Sequence, residues 1–168
     1  MLKVSKEEKN GVLAVRFSGS IEETADFDQL IGAVPEEIHV YSRDVSRINS
    51  MGVKAWIKYF QSLKQTGKIL RFFECSFAVL QQANQISNFV CGGAIESLYA
   101  PFTCEDCNKE FAALFTVEHL LKIGLEVPDQ KCPHCSGKAI FDDIPKEYFV
   151  FLTRTQAPLK QQGLLKKK

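Results

Sequence analysis

The 168-residue chain reads as an α/β protein: a mixed, mostly parallel sheet with helices packed on it, followed by a small metal-stapled subdomain. Two observations predict this. Through residue 100, strand-type runs alternate with helix-type runs, the order expected of parallel strands joined by helical crossovers. Beyond it stand two Cys-x-x-Cys pairs, CEDC at 104–107 and CPHC at 132–135. That spacing can bring four sulfurs to one ion.

The elements follow in order. Residues 2–6 can supply an edge strand. In GVLAVRFS (11–18), Leu13, Val15 and Phe17 share one face of a strand that Gly19 and Ser20 then break. Thr24 is placed to cap a helix over 25–34, with Phe27, Leu30 and Ile31 at helical spacing and Pro35 as the stop. Residues 37–48 form a second strand region, with Ile38, Val40, Val45 and Ile48 apolar. The run from Met51 to Gln65 puts Val53, Trp56, Ile57, Phe60 and Leu63 on one stripe, and Gly67 is its stop. ILRFF (69–73) reads as a short buried strand. Ser76 caps a helix over 77–86, and Cys91-Gly92-Gly93 is a turn. A last strand runs from Ile95 toward Cys104.

Between the cysteine pairs, Thr116 caps a helix over 117–123 that ends at Gly124. EYFVFL (147–152) reads as a closing strand. The domains are therefore 1–100, an α/β unit; 101–152, a metal ribbon with an inserted short helix; and 153–168, a flexible basic tail. Pro101 is the one hinge candidate between the first two, so close packing is expected.

Net charge is +1 but uneven. Residues 101–147 carry 5 basic and 9 acidic side chains, while all 5 charges after Glu147 are basic. No apolar run reaches the roughly 18 residues of a membrane helix, and the polar N-terminus has no signal-peptide character. A cytoplasmic location without membrane contact is the expectation.

In a chain with no export signal, paired cysteines read as metal ligands before disulfides. Cys104, Cys107, Cys132 and Cys135 are expected to hold one structural Zn2+ per chain, closed by four thiolates with no position left for water. The 24 residues between Cys107 and Cys132 accommodate the inserted helix. His119 and His134 are alternative ligands, and a thiol redox pair is the competing reading. Zinc ribbons often bind nucleic acid, but this block is net −4, and phosphate binding needs clustered Lys and Arg. The sequence argues against a nucleic-acid partner.

Ser50, in RINSMGVKAW (47–56), stands at a helix start. As an N-cap it would accept a backbone N–H bond worth about 1 kcal/mol. A phosphate there would meet the helix N-terminus favourably.

Two stretches carry a family resemblance. GVLAVRFSGSIEETADFDQL resembles the opening strand, turn and first helix of STAS domains, the fold of the bacterial anti-sigma-factor antagonists. RINSMGVKAWIKYF resembles their Asp-Ser-x-Gly-hydrophobic segment and second helix, and the element order through residue 100 agrees. Ser50 falls on the family's phosphorylatable serine and Gly52 on its motif glycine. Asn49 stands where the family has Asp, and Met51 where a small residue is common. The resemblance implies a regulatory protein in signalling and transcription. Its partner would be an anti-sigma factor or switch kinase, met through the surface of Asn49, Met51, Gly52 and Lys54. The alternative is a zinc-ribbon adaptor or nucleic-acid-associated protein with the first domain as scaffold.

No convergent catalytic set is visible, and no small-molecule substrate is evident. His39 stands alone on a strand, Asp44 and Arg47 read as a solvated patch, and Asp142-Asp143 as a solvated turn. Cys75 and Cys91 read as buried structural thiols. The expectation is a protein that is not an enzyme.

Overall fold

The computed structural model describes residues 1–154; the basic tail read from the sequence lies, beyond Arg154, outside the described residues. Two sheets divide the chain. The first has five strands in the order β1 (Lys3–Lys9), β2 (Val12–Ile21), β3 (Glu37–Ile48), β4 (Ile69–Phe73) and β5 (Ala94–Ile95). β1 and β2 are antiparallel, and the other pairings are parallel. The mixed α/β class is as read from the sequence. The β1–β2 hairpin turns at Asn10 and Gly11, both at positive φ, which is the Asn-Gly chemistry of a tight hairpin.

Pairing register builds the core. Leu13, Ile38 and Leu70 lie in one row across the sheet, and Val15, Val40 and Phe72 in the next. All six are buried on one face. Helix α1 (Phe27–Ile31) and α2 (Ser50–Gln65) bring Phe27, Trp56, Tyr59 and Phe60 to this core. Trp56 lies parallel to Phe89 at 5.1 Å and donates its indole N–H to the Phe89 carbonyl at 3.0 Å. Helix α3 (Phe77–Gln85) is capped by Ser76, as expected, and buries Val79, Leu80 and Ala83.

The opposite sheet face is a polar and aromatic ladder. Arg16 stacks on Tyr41, which stacks on Phe73 at 5.2 Å. His39 meets Glu37 at 2.6 Å, and Arg71 bridges Glu37 and Glu96 at 2.8 Å each. His39 is accordingly one member of a surface network.

The second sheet has the order β7 (Glu110–Thr116), β6 (Ser97–Cys104), β9 (Lys138–Phe141) and β8 (Gln130–Lys131). Helix α4 (Val117–Lys122) has Thr116 as its N-cap, as the sequence predicts. The expected strand from Ile95 to Cys104 is divided: β5 belongs to the first sheet and β6 to the second.

Four local expectations are corrected. β2 does not stop at Gly19; it runs to Ile21 through a bulge, with Gly19 at φ 93° against the Met1 carbonyl. α1 is capped by Asp26 and not Thr24, because the Asp26 carboxylate accepts the Gln29 N–H at 3.0 Å, and Gly32 ends it before Pro35. EYFVFL is not a strand. Helix α5 (Pro145–Tyr148) opens with proline at its first turn, and helical backbone continues through 150–154. Tyr148, Phe149, Phe151 and Leu152 are the buried positions, a helical spacing within an apolar run too short to read by period alone. The fourth correction concerns Ser50.

Candidate functional sites: a four-cysteine metal centre and the α2 N-terminus

Cys104 ends β6, Cys107 completes the turn after it, and Cys132 and Cys135 lie in the turn between β8 and β9. Their four sulfurs all lie within 4.8 Å of one another. Cys104 Sγ is 3.5 Å from Cys135 Sγ, and Cys107 Sγ is 3.7 Å from Cys132 Sγ. A tetrahedral metal–thiolate site with bonds of about 2.3 Å has sulfur–sulfur edges of about 3.8 Å, so the sulfurs are spaced to hold a metal ion. At these distances no two of them are bonded as a disulfide, and all six cysteines are free thiols. Neither His119 nor His134 belongs to this cluster.

The local backbone explains the spacing. Asn108 and Ser136, each just after a pair, take positive φ of 57° and 64° and fold the chain back. The His134 N–H donates to Cys132 Sγ and the Gly137 N–H to Cys135 Sγ, both at 3.4 Å. Gly137 sits against the exposed Asp106 side chain of the other turn. Such N–H donors orient and stabilise metal-bound thiolates.

The electrostatics point the same way. Burial raises the Cys132 thiol, but the N–H groups of His134 and Cys135 and the neighbouring thiols bring it down to about 7. The Gly137 N–H lowers Cys135, but the surrounding sulfurs push it up to about 12. One thiolate forms readily here, and further ones need a cation to offset their mutual repulsion.

At the other site, Asn49 and not Ser50 is the N-cap of α2. Asn49 Oδ1 accepts the Gly52 N–H at 2.8 Å, and Asn49 Nδ2 donates to Glu23 at 2.9 Å. That bond holds the Glu23 carboxyl below its ordinary range. Both Asn and Ser are good caps, and the boundary simply lies one residue earlier. Ser50 is the first helical residue and is exposed, as is Lys54 four positions on; Met51 is 52% exposed. Gly52 is buried. Its Cα faces the end of β2, where a Cβ would lie 2.6 Å from the Ile21 carbonyl carbon and nearer still to its oxygen. The same Ile21 oxygen accepts the Asn49 N–H at 3.1 Å. Glu23 and this close approach went unread in the sequence, because both depend on the β2–α1 loop folding back onto α2.

Of the remaining expected residues, Asp44 and Arg47 are exposed on β3. Cys75 is fully buried, and burial pushes its thiol up to about 12, so it stays protonated at neutral pH. Cys91 is buried among the carbonyls of Ile57, Asn88 and Phe89. Asp142 accepts the Thr103 hydroxyl at 2.9 Å. Among the described residues, no helix is long and apolar enough to cross a membrane. No protein-family model matches the chain, and no curated protein matches it.

Proposed function

We propose that this protein is a non-enzymatic regulatory module, cytoplasmic and of the anti-sigma-factor-antagonist type, which recognises a protein partner through the surface around the start of α2. Phosphorylation of Ser50 gates that recognition. The four cysteines hold one structural zinc ion, which staples the second sheet: a soft four-thiolate set suits zinc, and a closed shell leaves no site for a substrate.

The observation that carries the reading is the exposed Ser50 hydroxyl at the first position of a 16-residue helix. A phosphate on it meets free N–H groups and the positive end of the helix dipole. Lys54, on the same helix face, offers it a counter-charge. The neighbouring Asn49–Glu23 pair would feel the added negative charge directly, so the local surface changes without unfolding the helix. Exposed Met51 supplies an adaptable apolar contact beside the switch. The net acidic ribbon argues against nucleic acid as partner.

The test is to incubate wild type and Ser50→Ala with native-cell extract and ATP, map phosphorylation by mass spectrometry, and compare partner capture by wild type, Ser50→Ala and Ser50→Asp. A partner held by wild type and Ser50→Ala but released by Ser50→Asp, with phosphate found on Ser50, is the expected result. Identical capture by all three and an unmodified Ser50 would refute the switch and turn attention to the ribbon as the adaptor surface.

A further inference from the structure

Away from both sites, a groove of about 460 Å³ opens where the first sheet, α4 and the C-terminal helix meet. Its walls are apolar: Ile86, Phe89, Ile95, Leu121 and Phe151 contribute from three separate stretches of chain. Volume and lining match small-molecule sites, which are concave, mostly apolar and carry few polar groups.

Three charged side chains line it, Glu96, Glu118 and Arg154. They differ in how they are satisfied. Glu96 is paired with Arg71 at 2.8 Å, and Glu118 with Lys122 at 2.6 Å. Arg154 has no carboxylate partner among the described residues; its Nη1 donates to the Ala83 carbonyl at 3.5 Å. Arg71 is shared between Glu96 and Glu37, so the charges around the groove balance, and Arg154 is the one cation among the lining residues, at the edge of an apolar surface. A guanidinium in that position recognises a carboxylate through two parallel N–H donors.

We infer that this groove binds an amphipathic monocarboxylate, its apolar chain lying against Phe89, Ile95 and Leu121 and its head group held by Arg154. The site is independent of Ser50 and of the metal centre.

The test uses the full-length, metal-loaded chain and decanoate as probe, below its micelle concentration, followed by calorimetry and by methyl NMR. Expected are saturable one-to-one binding, shifts confined to groove-lining methyls such as those of Ile86, Ile95 and Leu121, and weaker binding of decanol. Arg154→Gln should weaken decanoate by roughly threefold to tenfold and leave decanol unchanged. Ile95→Trp, which fills the groove, should abolish both. Three results would overturn the inference: no saturable binding, equal affinity for decanol and decanoate, or NOEs from the groove methyls to Leu159 or Leu164 that the probe does not displace. The last would mean that the chain's own C-terminal segment occupies the groove.

Discussion

Gly52→Ala is the sharpest probe of how the α2 N-terminus is built. In an ordinary helix the change stabilises by about 1 kcal/mol, because alanine has the better helix propensity. Here the new Cβ would stand 2.6 Å from the Ile21 carbonyl carbon, against 3.4 Å for an ordinary contact. The first turn must move at least 0.8 Å, the difference of those two distances, and both partners are backbone that cannot rotate away. That shift strains the Asn49 N–H bond to Ile21 and the Asn49 cap on Gly52. Overpacking costs about 1–3 kcal/mol, the cap about 1 and the backbone bond about 1. Offset by the propensity gain, the net destabilisation is about 2–4 kcal/mol. For a chain of this length that lowers Tm by roughly 5–15 °C. Thermal unfolding by circular dichroism, with Ser50→Ala as an exposed control expected to change stability by less than about 0.5 kcal/mol, measures it. A Gly52→Ala protein as stable as wild type would refute the close-approach argument.

Three further outcomes are expected. Purified protein should contain one metal ion per chain, lost in the Cys104→Ser, Cys132→Ser double variant with a lower Tm; elemental analysis decides this, and fully folded metal-free wild type would contradict it. Tyr148 donates to the Tyr99 carbonyl at 2.7 Å, and burial holds its phenol above the ordinary 10.0. The neutral form is favoured in the fold, so this stabilisation is complete below pH 10, is lost as pH rises further, and its slope in Tm against pH should flatten in Tyr148→Phe. Asn84→Ala removes a side chain that donates to the Tyr148 carbonyl at 2.9 Å and accepts the Phe151 N–H at 3.0 Å. It should cost about 1–3 kcal/mol and speed hydrogen exchange across 145–154.

What the sequence disclosed depended on whether the cause was local. The metal cluster was legible because Cys-x-x-Cys spacing fixes sulfur geometry within one turn. α2 was legible because sixteen residues give the period room to declare itself. β7 was legible but unread: Phe111, Ala113 and Phe115 alternate inward along it. EYFVFL misled because five apolar and aromatic residues in succession satisfy either period, and the proline that starts the helix lies just outside the run. Ser50 was taken for the cap because Asn-Ser offers two good capping residues in succession, and only the Asn49–Gly52 bond separates them. The role of Gly52 was illegible in principle, since the atoms it must avoid come from Ile21, thirty-one residues earlier in the chain.

The junction between the sheets bears on how both sites would work together. β4 does not simply end at Phe73. Glu74 turns at φ 50°, and Cys75 then bridges to β6, its N–H on the Ser97 carbonyl and its carbonyl on the Tyr99 N–H, each at 3.0 Å. The Ser97 hydroxyl accepts the Glu74 N–H at 2.8 Å. β6 then runs without interruption to Cys104, the first sulfur of the metal cluster. The sheet that carries the four cysteines is joined to the first at this isolated bridge, and Pro101 lies within a paired strand, opposite Ala112, where it cannot act as a hinge. Fixing the four sulfurs therefore fixes one end of β6, and through Ser97 and Tyr99 the exit of β4 at the start of α3.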